Sequence, residues 1–236
     1  MLHQVVRLGP VAGPQVRQQL VQRSRQQAAR DHQLSCALSV LTQALVDFQS
    51  RYARIEVDLL TVDRADDLGG ERIDLAVRIT NKLDDGVVSR RPATCRSVLC
   101  AAPGYLAARG TPAKPADLVA HHCITHAFGS RAECRLGHAG RLLTQPVCGT
   151  LLSNETAVVK QAALAGAGIA MLPTYFVGDE LQRGALVRVL LAHEPETLGI
   201  HAVFLPRQHQ PLPLKLLVEF LAERFAGEVA PRDLPP

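Results

Sequence analysis

The segment TLLSNETAVVKQAALAGAGIAMLP, residues 150–173, constrains the fold more than any other stretch of this chain. Ser153 or Asn154 offers a short polar cap for a helix that runs until Gly166 and Gly168. GIAML then has the composition of a buried strand, and a helix feeding straight into such a strand is the joint of a layered α/β fold. Pro173 opens a further helix that Gly184 ends, ALVRVL and IHAVFLP follow as strands, and Leu214, Leu217, Phe220, Leu221 and Phe225 mark a closing amphipathic helix.

The N-terminal half carries the same alternation of periods. Leu38, Leu41, Leu45, Phe48 and Tyr52 recur at three- and four-residue steps and predict one buried helical stripe. RIEVDLLTV sets Ile55, Val57 and Leu59 against Glu56 and Asp58, the two-residue period of a strand. A short polar helix from Asp63 to Leu68 stops at Gly69 and Gly70, and RIDLAVRI supplies the next strand, so strand, helix and strand imply a parallel sheet. CRSVLCAAPGYLAARG predicts a strand ending near Ala102 and a helix from Pro103 to Gly110. PADLVAHHCIT gives a short helix and a strand, whereas residues 129–146 lack clean periodicity and suit loops or edge strands.

With 47% hydrophobic residues, 4% aromatic and no Trp, the cores must be built from Leu, Val, Ile and Ala, and 236 residues suit two lobes. No apolar run approaches the roughly 20 residues of a membrane span, and the N-terminus has no signal-peptide core, so the expected place is the cytoplasm and no membrane partner is expected. Six cysteines without a C-x-x-C pair predict free thiols. The net charge is only +4, but Arg7, Arg17, Arg23, Arg25 and Arg30 precede any acid. That end either touches a polyanion or is a solvated leader, and the second is favoured because Pro10, Gly13 and Pro14 interrupt it.

Catalysis needs a nucleophile with its base, a metal cluster or paired carboxylates, and no such spacing occurs. GAGIAM follows a helix and precedes a strand, the reverse of a dinucleotide fingerprint, and His121 and His122 are adjacent rather than one helical turn apart. The expectation is a binding protein without catalytic residues, metal or cofactor.

From about Val40 to Phe225 the chain resembles the effector-binding domain of LysR-type transcriptional regulators. VLTQALVDFQSRYARIEVDL looks like that family's first helix and second strand, RIDLAVRI like its Asp-Leu-Ala strand, and VLCAAPGYLAARGTPAKPADLVAHHCI like its passage into the second lobe; AALAGAGIAMLP and ELQRGALVRVL complete the set in order. The resemblance implies an α/β, two-lobed fold like type 2 periplasmic binding proteins, with two crossover strands near Leu99 to Ala102 and Ala202 to Leu205. Residues 33–102 plus 206–228 would form lobe I and 103–205 lobe II, flanked by a basic leader over 1–32, disordered or a remnant of a DNA-binding and linker region, and a frayed tail over 229–236. Members begin with a winged helix-turn-helix, for which too little sequence precedes Leu38, so DNA is expected only through a module mostly absent here. The family's first strand would fall in DHQLSCALS, which shows no alternation.

The implied function is sensing of a small metabolite, by this reading an organic carboxylate, in the cleft between lobes. The alternatives are a solute-binding protein for transport, or a regulator relic acting by dimerisation. A homodimer or higher oligomer is expected through the region of about Leu38 to Leu60. Strand ends and helix N-termini should face the ligand. The candidates are Ser35 and Ser39 at the first helix and Ser153 and Asn154 at the later one, each equally suited to plain capping. Arg78 either pairs a carboxylate bidentately or forms a surface salt bridge. Thr80 follows the same strand, while Ala101 and Ala102 with Thr125 and His126 would line the other wall, His126 either sensing pH, donating to a ligand or doing neither.

Overall fold

The computed structural model describes residues 3–10, 37–62, 73–83, 86–126, 133–138, 140–206 and 210–225. The chain divides into two compact units, one built from the segments before Ala93 and after Ile200, the other from Thr94 to Gly199.

In the first unit, β1 (His3–Pro10), β2 (Ile55–Val62), β3 (Leu75–Thr80), β4 (Val88–Cys95) and β13 (Leu198–Phe204) form a five-stranded sheet in the order β2-β1-β3-β13-β4. Helices α1 (Ala37–Arg51) and α5 (Leu212–Phe225) contribute Leu41, Leu45, Phe48, Leu214, Leu217 and Leu221 to one core with Val6, Leu75, Ala202 and Phe204. The heptad-like stripe and the two-residue alternation therefore meet on one sheet face, as the period of each element requires. Phe48 packs edge-on against Phe220 at 5.5 Å between ring centres and lies 4.9 Å from Tyr52.

Strand β1 lies within the leader, over His3–Pro10. It lies between β2 and β3 and pairs antiparallel with both, so β2 and β3 run parallel to each other without touching. Val6 is completely buried and Leu8 packs on the same core, while the Val6 carbonyl accepts from Asp74 N–H at 3.0 Å and Leu8 N–H donates to Asp74 Oδ2 at 2.9 Å. The strand ends at Pro10, which has no amide proton to continue the ladder. The short helix over Asp63 to Leu68, the strand in DHQLSCALS before Ala37, most of the leader and the tail lie outside the described residues.

The second unit holds β5 (Ser97–Ala101), β6 (His122–His126), β9 (Cys148–Ser153), β10 (Ile169–Pro173) and β11 (Val187–Val189) in the order β11-β5-β10-β6-β9. β10 and β6 run parallel, as do β6 and β9, while β5 and β10 are antiparallel. Around it lie α2 (Pro103–Arg109), a 3-10 turn (Pro115–Ala120), α3 (Thr156–Leu164) and α4 (Thr174–Gln182). Gly110 and Gly184, both at positive φ, follow α2 and α4 as read from the sequence. The stretch without clear period resolves into a hairpin of β7 (Glu133–His138) and β8 (Arg141–Pro146), joined by β12 (Glu194–Pro195) in a small antiparallel sheet.

The two passages between units differ from the expected positions. They fall between Ala93 and Thr94 and between Gly199 and Ile200, earlier than Leu99 to Ala102 and Ala202 to Leu205. The reason is burial: Leu99, Cys100 and Ala101 are already inside the second sheet, and Ala202, Val203 and Phe204 are already inside the first.

Candidate functional site

In the second unit, the parallel strands β6, β9 and β10 end together. His126 stands opposite Ser153 in register, and Pro173, the last residue of β10, stands opposite Ser97, the first of the antiparallel β5. This carboxyl edge is where an open α/β sheet presents helix starts to a ligand. Thr125 Oγ1 donates to the Leu151 carbonyl at 3.4 Å, across to the neighbouring strand. The Ser153 hydroxyl accepts from Glu155 N–H at 3.0 Å, so it closes the turn into α3, and Asn154 lies within that turn.

The cap itself is Glu155, not Ser153 or Asn154. Its backbone is extended (φ −104°, ψ 117°) and its side chain is buried at the N-terminus of α3. Its carboxyl group occupies the helix N-terminus where an anionic ligand was expected. Sequence reasoning missed it because Ser and Asn are the stronger capping residues by type.

Ala101 and Ala102 do not join this edge. Because β5 is antiparallel, Cys100 pairs with Ala170 and Ala101 with Val187, which puts both alanines level with the beginnings of β10 and β6. They are buried at the opposite edge from Thr125 and His126, and Ala102 is the residue from which α2 starts.

Burial pushes the His126 imidazole down to about 4, because losing water penalises the charged ring. The ring is thus neutral near pH 7 and does not titrate there.

In the first unit, Arg78 and Thr80 are on the sheet face opposite Leu75 and Val77. Arg78 is only 6% exposed. The Thr80 hydroxyl donates to the Lys82 carbonyl at 2.8 Å and accepts from Lys82 N–H at 2.9 Å, which commits its proton to the turn. His201 on β13 was not singled out from sequence. Its pKa is lowered by burial and by the nearby Arg91 charge, against a hydrogen bond to the Thr80 backbone. Alternation along β13 was the available signal, since it sets His201 on the face away from Ala202 and Phe204. Ser39 belongs to the first turn of α1, and Ser35 lies outside the described residues. Among the described residues, no group of three or more His, Cys, Asp or Glu side chains converges to hold a metal, and no helix is long and apolar enough to cross a membrane.

Comparison with known proteins bears on this arrangement. The family described as the LysR substrate binding domain matches residues 34–226. The chain is 32% identical over 182 residues to the HTH-type transcriptional regulator PtxR of Pseudomonas aeruginosa, covering 77% of this chain and 58% of that protein. It is 29% identical over 193 residues to the HTH-type transcriptional activator AaeR of Escherichia coli, covering 80% and 62%. The chain therefore spans about three-fifths of the length of these curated relatives. Among solved structures, the regulatory domain of CrgA, a LysR-type transcriptional regulator from Neisseria meningitidis, superposes with a TM-score of 0.66 at 25% identity, covering 78% of this chain and 91% of that one. The fold is the type 2 periplasmic-binding-like α/β fold, and the chain belongs to the LysR substrate-binding domain family.

Proposed function

We propose that this chain is the effector-sensing part of a LysR-type transcriptional regulator and that its effector is a small organic carboxylate. The observation that carries the reading is the family match over residues 34–226, joined to relatives that are themselves named as regulators. Those relatives favour sensing over solute transport and over catalysis.

The carboxylate is assigned to the polar sheet face of the first unit. Arg78 contributes a buried permanent cation, and on the same face His201 carries ring nitrogens with the Arg91 charge near them. The α3 N-terminus serves a carboxylate less well, because the Glu155 side chain is already buried there. The effector acts only through its preference for one conformational state, and a DNA-bound oligomer reports that shift. Self-association is assigned to α1 and β2, where β2 is an edge strand and Val46 is an exposed aliphatic side chain.

A thermal-shift panel of small carboxylates tests the reading. One member should raise the melting temperature saturably, and His201→Gln or Arg91→Gln should reduce that shift. A panel in which no carboxylate stabilises the protein, or in which stabilisation is indifferent to both variants, removes the assignment.

A further inference from the structure

We infer that the second unit carries an accessory groove for a small organic anion, at the sheet edge opposite the one that bears His126 and Ser153. The groove has a volume of about 500 Å³ and lies between α2, the start of β6 and the turn that follows α3. Such a volume is within the range of small-molecule sites, roughly 300–1,000 Å³.

Its polar end is built from three side chains. Arg109 Nη2 lies 3.2 Å from His122 Nε2. A guanidinium only donates, so that imidazole nitrogen accepts and the ring proton resides on Nδ1. The Tyr105 hydroxyl accepts from His122 N–H at 3.0 Å and lies 3.2 Å from His121 Nδ1, which fixes the backbone from which His122 projects. Among the described residues no carboxylate forms an ion pair with Arg109; Asp117, on the 3-10 turn, is taken up by the amides of Ala113 and Lys114 at 3.0 and 3.1 Å. The groove thus holds an unneutralised cation with further N–H donors in a fixed plane, the geometry that suits a carboxylate.

Its other end is apolar and open because the residues are small. Ala108, Ala165 and Gly166 all line it. The turn comes this close to β6 because Gly168 has no side chain: a Cβ there would run into the His122 carbonyl. A ligand therefore needs one anionic group and a compact aliphatic or aromatic body.

The experiment is a titration of the full chain with sodium hexanoate against sodium chloride at matched ionic strength, read from the His122 ring Hε1 resonance. A saturable shift with a dissociation constant on the order of 1 mM is expected. Arg109→Met should weaken binding by at least about tenfold, the loss of a charged hydrogen-bonding partner, and Ala108→Leu, which fills the groove but keeps both polar groups, should abolish the shift. Inorganic phosphate, with no apolar body, should bind more weakly than hexanoate. A shift that is linear in hexanoate, equal to that of chloride, or unchanged in both variants overturns the site; equal binding of phosphate overturns the apolar half of the assignment. Neither result touches the effector reading, which rests on other residues.

Discussion

Lys160 Nζ lies 3.1 Å from Glu180 Oε1 and 4.0 Å from the centre of the Phe176 ring, so one ammonium ties α3 to α4 at two points. Both charged side chains are largely withdrawn from water, and Glu180 also meets Arg183 at 3.4 Å. The pair is asymmetric as a result. Glu180→Ala leaves the Lys160 ammonium with only the Phe176 carbonyl at 3.5 Å and the Phe176 ring, and should cost about 3 kcal/mol, the usual penalty for breaking a buried pair. Lys160→Met leaves Glu180 with Arg183 and keeps an aliphatic chain against Phe176, so it should cost distinctly less. Urea unfolding of both variants checks the order.

The N-terminal strand makes a second, sharper prediction. Val6 is fully buried on a strand that is paired on both sides. Val6→Asp should destabilise the first unit by on the order of 3 kcal/mol or more, because a carboxylate there has lost water and gained no partner. Thr42→Asp, on the exposed side of α1, should be close to neutral. Equal midpoints for the two variants in chemical denaturation would mean that β1 is not part of the folded core.

That strand also shows where the sequence was legible. Helices α1 and α5 and strands β2 and β3 were readable because each carries its period over several turns or alternations, and α3 and β10 because Gly166, Gly168 and Pro173 punctuate them. β1 was not, because HQVVRLGP has adjacent valines and then an arginine, and its burial comes from two flanking strands that are distant in sequence. β7 and β8 hid for a related reason: only Cys134, Leu136 and Gln145 in them are buried, too few for an alternation to emerge. Of the candidate site, strand ends were correctly located along the chain, but whether two ends share an edge depends on strand direction. Ala101 and Thr125 were therefore grouped although the register separates them.

Gly168 is predicted to be irreplaceable. Gly168→Ala drives a methyl group into the His122 backbone, which β6 pairing holds in place, so strain of roughly 1–3 kcal/mol is expected. Gly104→Ala meets nothing within 4 Å and removes a helical glycine, so it should be neutral or slightly stabilising. Melting temperatures that move equally for the two would contradict the close approach.

The described cysteines should differ widely in reactivity. Burial pushes the Cys100 thiol up to about 12 and those of Cys95, Cys123 and Cys134 up to about 11, so almost no thiolate exists at neutral pH. Cys148, on the outer strand β9, is exposed. Brief alkylation with iodoacetamide followed by peptide mass mapping should label Cys148 well before these four. Fast labelling of Cys100 or Cys123 would show that the second sheet opens readily in solution.

His126 and His201 predict the acid side of the stability profile. Each is held below its ordinary value, mainly by burial, and His126 lies at about 4 against 6.5 for a free imidazole. The unfolded chain therefore takes up protons that the folded chain refuses, and stability rises with pH over that interval. It is fully present above about pH 6.5 and is lost progressively as pH falls toward 4. His126→Phe, which keeps a ring of similar shape and removes the titration, should unfold at nearly the same temperature as the parent at pH 7 only if its packing is preserved, and its melting temperature should fall less steeply between pH 6.5 and pH 4. The comparison of slopes is independent of any packing loss, because that loss shifts the whole curve. Parallel slopes would place the His126 ring in water, accessible to protons and unlike the buried strand end described above.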